Sequence, residues 1–233
     1  MSEANILASS AQYQAFKEEY ENFSFDAKSA MDALLARLKN LQFDSKRKNR
    51  RMMFASEPEA RIKTRDSCEG KLARNGLELT AENLRNEIRD MAGIRLVLLY
   101  EDDVFKLMHN IEKQSGWTVS RVKDYLDDPD NPIYSEYKSD VWQTLGPKEN
   151  GYCGVQATIN VEVFYFDQKA IVPVDLQIRE IYGQAWSKNE WLLCYKGLKD
   201  PAAVEYFKQL AEEDRIRRRR LMELRDASLE SER

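Results

Sequence analysis

Three cysteines, one histidine and nine glycines are few for a chain of 233 residues, and each shortage removes a class of explanation. Cys68, Cys153 and Cys194 are odd in number, lie far apart and form no C-x-x-C pair, which argues against a disulfide framework or a zinc site and fits a reducing compartment. His109 is the sole histidine, so no histidine-rich metal site can be assembled, and His109 itself reads as a surface residue. No Pro/Gly/Ser-rich linker divides the chain, so a single domain over residues 1–233 is expected. No segment is long and apolar enough to cross a bilayer, and Met1 to Ser10 lack the basic start and apolar run of a signal peptide. A soluble, cytoplasmic protein with no membrane partner is the expectation. Neither G-x-x-x-x-G-K-[ST] nor G-x-G-x-x-G is present, so any nucleotide would be held by side-chain cations, not by a backbone phosphate cradle.

What is present is a balanced surface over an ample core. Thirty-six Lys and Arg against 40 Asp and Glu give a net charge of −4, which argues against nucleic-acid binding over the whole surface but allows a local basic site. From Tyr13 to Phe43, Phe16, Tyr20, Phe23, Ala27, Met31, Leu34, Leu35, Leu38 and Leu41 recur at three and four, which predicts one or two helices within 11–43 packed on a sheet. Lys46 to Arg51 reads as a solvated basic connection. Helices are expected over Ser67 to Arg74, after a Thr80 cap, and from Val104 towards Gly116. Ile94 to Tyr100 reads as a buried strand, and Trp117 to Tyr125, Val155 to Phe166 and Ala170 to Ile178 as further strands. A helix from Glu180 to Tyr195, with Trp186, Leu192 and Leu193 in the core, precedes a charged helix over 201–230. Asp127 to Pro147 is too long for an ordinary strand connection and is either functional or disordered. The order predicts an α/β (α+β) fold: a mixed, mostly antiparallel sheet flanked by helices, with a core over about 55–197 and helical extensions at both ends.

Two groups of residues carry chemistry. Asp90 stands near Arg95, and Asp175 near Arg179, each at an apolar strand, so two strands can bring two carboxylates and two arginines to one place. Ser67, Lys71 and Arg74 share a helical face, and Arg61 and Lys63 on an extended lead-in can point the same way, though a basic face by itself is often only solvated. R-x-K-x-x-x-S-x-x-x-K at Arg61 to Lys71, D-x-A-G-I-R at Asp90 to Arg95 and D-x-Q-I-R at Asp175 to Arg179 resemble the signature segments of RelA/SpoT-type nucleotide pyrophosphokinases.

That resemblance runs from about Arg61 to Lys196 and implies a nucleotidyltransferase-like synthetase domain, akin to a small alarmone synthetase. By similarity Lys63, Ser67, Lys71 and Arg74 would hold the ATP phosphates, while Arg61 and Arg95 would stack on the adenine. Asp90 and Asp175 would bind Mg2+, and Asp175 would also activate the acceptor hydroxyl. Lys148, Asn150, Tyr152, Gln156, Gln177 and Glu190 would meet the acceptor, with Tyr152 against its base. The implied reaction makes (p)ppGpp from ATP and GDP or GTP; an adenine nucleotide, the 3′ end of tRNA and an inactive binding module are the alternatives. A homo-oligomer stays open. With one histidine, the metal site of the family's hydrolase domain cannot exist here, so synthesis without degradation is implied.

This chain departs from the family at several places. The family usually has glutamate at Asp175. Its G-Y-R-S-x-H is here Gly151-Tyr152-Cys153-Gly154-Val155-Gln156, with one cation and two hydrogen-bonding groups lost. Glu180 replaces a threonine and Trp191 a histidine, while Trp186, Glu190, Tyr195 and Lys196 match the pattern. Acidic residues over 127–140 would repel a long polyanion such as tRNA. The run Arg215, Arg217, Arg218, Arg219 and Arg220 reads as an exposed, salt-bridge-laced helix, with an RNA or subunit contact as the other reading.

Overall fold

A computed structural model describes residues 3–49, 51–195 and 201–231. The amphipathic N-terminal stretch forms one helix, α1 (Glu3–Asn49), whose Phe16, Phe23, Ala27, Ala30, Leu34 and Leu38 are at most 2% exposed. Burying each large apolar side chain contributes roughly 1.5–3 kcal/mol. The basic run is not a connection: Lys46, Arg47 and Lys48 form the last turn of α1, where cations complement the helix dipole. Arg50 lies outside the described residues, and Arg51 is fastened through both Nη atoms to the buried Asp103.

Six strands form one mixed sheet: β1 (Glu59–Ile62), β2 (Ala92–Leu98), β3 (Trp117–Asp124), β4 (Trp142–Thr144), β5 (Val155–Phe164) and β6 (Lys169–Glu180). Their order is β1-β2-β6-β5-β3-β4, with β2–β6 and β3–β4 parallel and the remaining pairs antiparallel. Alternation decides the faces. Ala92, Ile94, Leu96 and Leu98, with Val172, Val174, Leu176 and Ile178, are buried in the main core together with α1 and α4 (Glu101–Glu112). Gly93, Arg95, Asp175, Gln177 and Arg179 occupy the alternate positions and are only half-buried. Helices α2 (Arg65–Arg74) and α3 (Ala81–Glu87) begin at Thr64 and Thr80, whose side-chain oxygens accept from Ser67 N and Asn83 N.

Residues 127–147 are ordered, not a bare loop. Lys138 lies 2.9 Å from Asp124 and 2.6 Å from Asp127, both buried, and Tyr134 stacks on Phe105 at 4.0 Å between centroids. At the other end, α5 (Ile181–Glu190) passes into a π-helical turn (Trp191–Tyr195), which swings Leu192 and Leu193 outward to 59% and 52% exposure instead of into the core. A second, smaller core joins Tyr125, Tyr152, Trp186, Cys194 and Phe207, the last from α6 (Pro201–Ser231).

Candidate active site

Strand register places the candidate donor residues in two rows across the sheet. Arg61 pairs with Gly93, and Gly93 with Asp175; one step along, Glu59 pairs with Arg95, Arg95 with Gln177 and Gln177 with Gln156. Arg61, Arg95, Asp90, Asp175 and Gln177 thus line one cavity of about 200 Å³. Asp90 is not on a strand: it sits in the turn just before β2, after α3 has ended. There its carboxylate receives Lys63 Nζ at 2.7 Å and Lys71 Nζ at 2.9 Å. Burial by itself would raise the Asp90 carboxyl, but the hydrogen bonds from Lys63 and Lys71 outweigh it and hold it below the usual aspartate range. Asp175 goes the other way: burial, reinforced by the charge of Asp90, raises it even though Gln177 donates to it at 2.9 Å.

Two carboxylates of opposite tendency therefore face one space. The lowered one favours its ionised form and the raised one holds a proton more readily than an ordinary aspartate. Among the described residues no three His, Cys, Asp or Glu side chains gather as a metal cage. Two carboxylates on a shared cavity nevertheless suit Mg2+, which binds one or two carboxylates and completes its octahedron with water and substrate phosphates.

Arg61 and Arg95 bring two cations to a cavity that Glu59, Asp90 and Asp175 also line. Burial and the neighbouring Arg179 and Arg61 lower Arg95, against a single counter-charge from Glu59 at 3.4 Å. The Nε atoms of Arg95 and Arg179 are buried with no hydrogen-bond partner, a state that a bound polyanion would relieve. Ser67 is tied into the cap of α2, 2.8 Å from Thr64 Oγ1, and Arg74 is exposed on the helix's last turn; neither lines the cavity.

The second half of the candidate site is a loop, Lys148 to Gly154, held by glycines with positive φ at Gly151 (92°) and Gly154 (146°). Asn150 turns back to accept from Tyr152 N at 3.1 Å and donates to Glu190 at 3.5 Å. Tyr152 is 9% exposed; Lys148 and Arg179 lie over its ring at 4.9 and 5.2 Å, and Gln156 donates to its hydroxyl at 3.2 Å. The ring already has cations where a base would stack, so stacking requires Lys148 or Arg179 to move aside. Tyr195's side chain and Lys196 lie outside the described residues.

Sequence reasoning missed Arg218. Instead of being solvated it is 4% exposed, with Nη1 at 2.9 Å from Cys153 Sγ and 3.3 Å from Glu180, and Nε at 3.2 Å from Glu101. Arg215 and Arg217 do form the surface pairs expected of the run, with Glu212, Glu213 and Asp214. The missing signal was a stripe: Phe207, Ala211, Asp214, Arg218, Met222 and Arg225 recur at three and four, and each is buried or half-buried on a helix that is otherwise mostly exposed.

Comparison with known proteins agrees with this geometry. Residues 60–200 match the region found in RelA/SpoT proteins. GTP pyrophosphokinase YwaC of Bacillus subtilis (strain 168) is 25% identical over 183 residues, 77% of this chain and 76% of that protein. Small alarmone synthetase 1 of Bacillus subtilis superposes with a TM-score of 0.72 at 19% identity, covering 91% of this chain and 99% of that one. Small alarmone synthetase 2 of the same organism gives 0.71 at 21% identity, with 90% and 99% covered. A structure of synthetase 1 bound to its product pppGpp gives 0.71 at 19%, over 91% and 99%. The six-stranded mixed sheet flanked by helices is thus the small alarmone synthetase fold, and the chain belongs to the RelA/SpoT family.

Proposed function

We propose that this protein is an ATP-dependent pyrophosphokinase that moves the β,γ-pyrophosphoryl group of ATP to the 3′-hydroxyl of GDP or GTP, releasing AMP and giving (p)ppGpp. The observation that carries this reading is the one cavity that Asp90, clamped by Lys63 and Lys71, shares with Asp175, Arg61 and Arg95. Lys63 and Lys71 exchange Asp90 for the donor phosphates, and Ser67 and Arg74, which stand outside the cavity, join them there. Arg61 and Arg95 offer guanidinium planes to the adenine. Asp90 and Asp175 would hold Mg2+, which would neutralise the phosphate charge.

The acceptor's 3′-oxygen attacks the β-phosphorus, the bond to the α,β-bridging oxygen breaks, and AMP leaves with that electron pair. The hydroxyl proton passes to Asp175, whose burial raises its proton affinity towards that task. Lys148, Asn150, Tyr152, Gln156, Gln177 and Glu190 surround the acceptor. A relative named a GTP pyrophosphokinase and a similar structure that holds pppGpp support guanine at this position. Arg215, Arg217 and Arg218 are engaged by carboxylates, which supports a nucleotide over tRNA.

The test is incubation of the protein with γ-labelled ATP, Mg2+ and, separately, GDP, GTP, AMP, ADP, ATP or tRNA. Label on the 3′ position of GDP or GTP, with one AMP released per label transferred, is the expected result. Label mainly on adenine nucleotides or tRNA overturns the guanine assignment, and release of ADP without transfer overturns pyrophosphoryl chemistry.

A further inference from the structure

Helix α6 begins at Pro201, beyond the matched residues 60–200, yet it touches the acceptor loop at both ends. At Gly151, a Cβ would come within 2.8 Å of Ala211 Cβ and 3.2 Å of Phe207 O, so the loop lies directly on the helix. At Cys153, the Arg218 guanidinium meets the thiol and bridges it to Glu180 and Glu101. Glu180 is the cap of α5, accepting from Tyr182 N and Gly183 N, and Glu101 opens α4. A buried cation here ties two elements, the end of β6 and the start of α4, to the Gly151–Gly154 turn. Between these two contacts sits Tyr152, which belongs to the small core that includes Phe207 of α6 and also meets Lys148, Arg179 and Gln156. Arg225, two turns on, provides an internal contrast. It binds Asp102 at 2.7 Å and lies over Tyr100 at 4.6 Å, well anchored but with no contact to the loop.

We infer that Arg218 is a positioning residue for the acceptor: from beyond residues 60–200, it fixes the loop that presents Tyr152 and so sets acceptor affinity without touching the donor. This rests on the acceptor-loop reading proposed above. A guanidinium suits the place because its delocalised charge spans the site: Nη1 donates to Cys153 and Glu180 while Nε, which makes no hydrogen bond, lies 3.2 Å from Glu101 as an ion pair.

The experiment compares Arg218→Lys with Arg225→Lys, and adds Ala211→Leu, which crowds Gly151 without removing a charge. Acceptor KM, ATP KM and kcat are measured for each, together with amide hydrogen exchange over residues 151–154. Arg218→Lys and Ala211→Leu should raise acceptor KM about tenfold, the equivalent of one charge-assisted hydrogen bond, with ATP KM unchanged and loop exchange faster. Arg225→Lys should leave both KM values and the loop as they were. An unchanged acceptor KM and loop in Arg218→Lys, or the same rise in acceptor KM from Arg225→Lys, overturns the inference. Should Arg218→Lys not fold, Cys153→Ala decides, because it removes the loop's contact to Arg218 and keeps the buried ion pairs: a raised acceptor KM with faster loop exchange supports the inference, and unchanged values overturn it. Failure of the wild-type protein to transfer to any nucleotide would strike the proposed function instead, and loop exchange alone then decides whether Arg218 restrains the turn.

Discussion

On the proposed donor side, Asp90, Lys63 and Lys71 come from within 30 residues of one another and are joined by two direct ion pairs beside an open cavity. On the acceptor side, Tyr152 is covered by Lys148 and Arg179, and its loop is fixed from beneath by a helix more than fifty residues downstream. The first is local and preformed. The second is assembled from distant parts and has to rearrange before a base can stack. Donor affinity should therefore respond to nearby charges only, while acceptor affinity should respond to packing far from the chemistry.

The largest expected effect breaks the donor side outright. Asp90→Ala removes a ligand and leaves Lys63 and Lys71 without their shared anion; transfer should fall on the order of a thousandfold or more. Full activity in that variant would remove Asp90 from the site. Lys71→Met should raise ATP KM by roughly tenfold to a hundredfold, as one charge-assisted contact is lost, while acceptor KM stays put. Equal rises in both would mean that the two halves are not separable. Tyr152→Ala tests the opposite half: acceptor KM should rise by about tenfold, in line with base stacking worth ~1–3 kcal/mol, with ATP binding intact by calorimetry.

The smallest effect concerns stability. Asp175 has a raised carboxyl in the folded state, so its contribution is favourable below the ordinary aspartate range and is lost as pH rises through the raised value. Asp175→Asn should therefore unfold at higher denaturant than wild type at neutral pH, a difference that vanishes at about pH 4. A variant less stable than wild type at neutral pH would contradict the burial argument.

Much of the framework around the cavity was legible because its signals are local. β2 and β6 are apolar runs, Thr80 is a cap, and Arg61 to Arg74 form a spaced basic motif. β1 and β4 were not expected as strands, because four- and three-residue segments at the sheet's two edges carry no clear alternation. Leu192 and Leu193 went wrong because a π turn breaks the 3.6-residue period on which the core assignment stood. Arg218 and the aspartates near 127 were hidden for a further reason. Whether a charged side chain is solvated or buried depends on a partner brought by the fold, here Glu101 and Glu180 for Arg218, and Lys138 for Asp124 and Asp127.

The central claim is that Asp175 acts by charge at the acceptor hydroxyl, opposite a donor gripped by other residues. Transfer by Asp175→Asn at saturating ATP tests it most directly, since the amide keeps the shape and removes the base. Transfer lower by about a hundredfold to ten-thousandfold, the range of a lost general base, is predicted. Transfer at the wild-type rate would contradict the account.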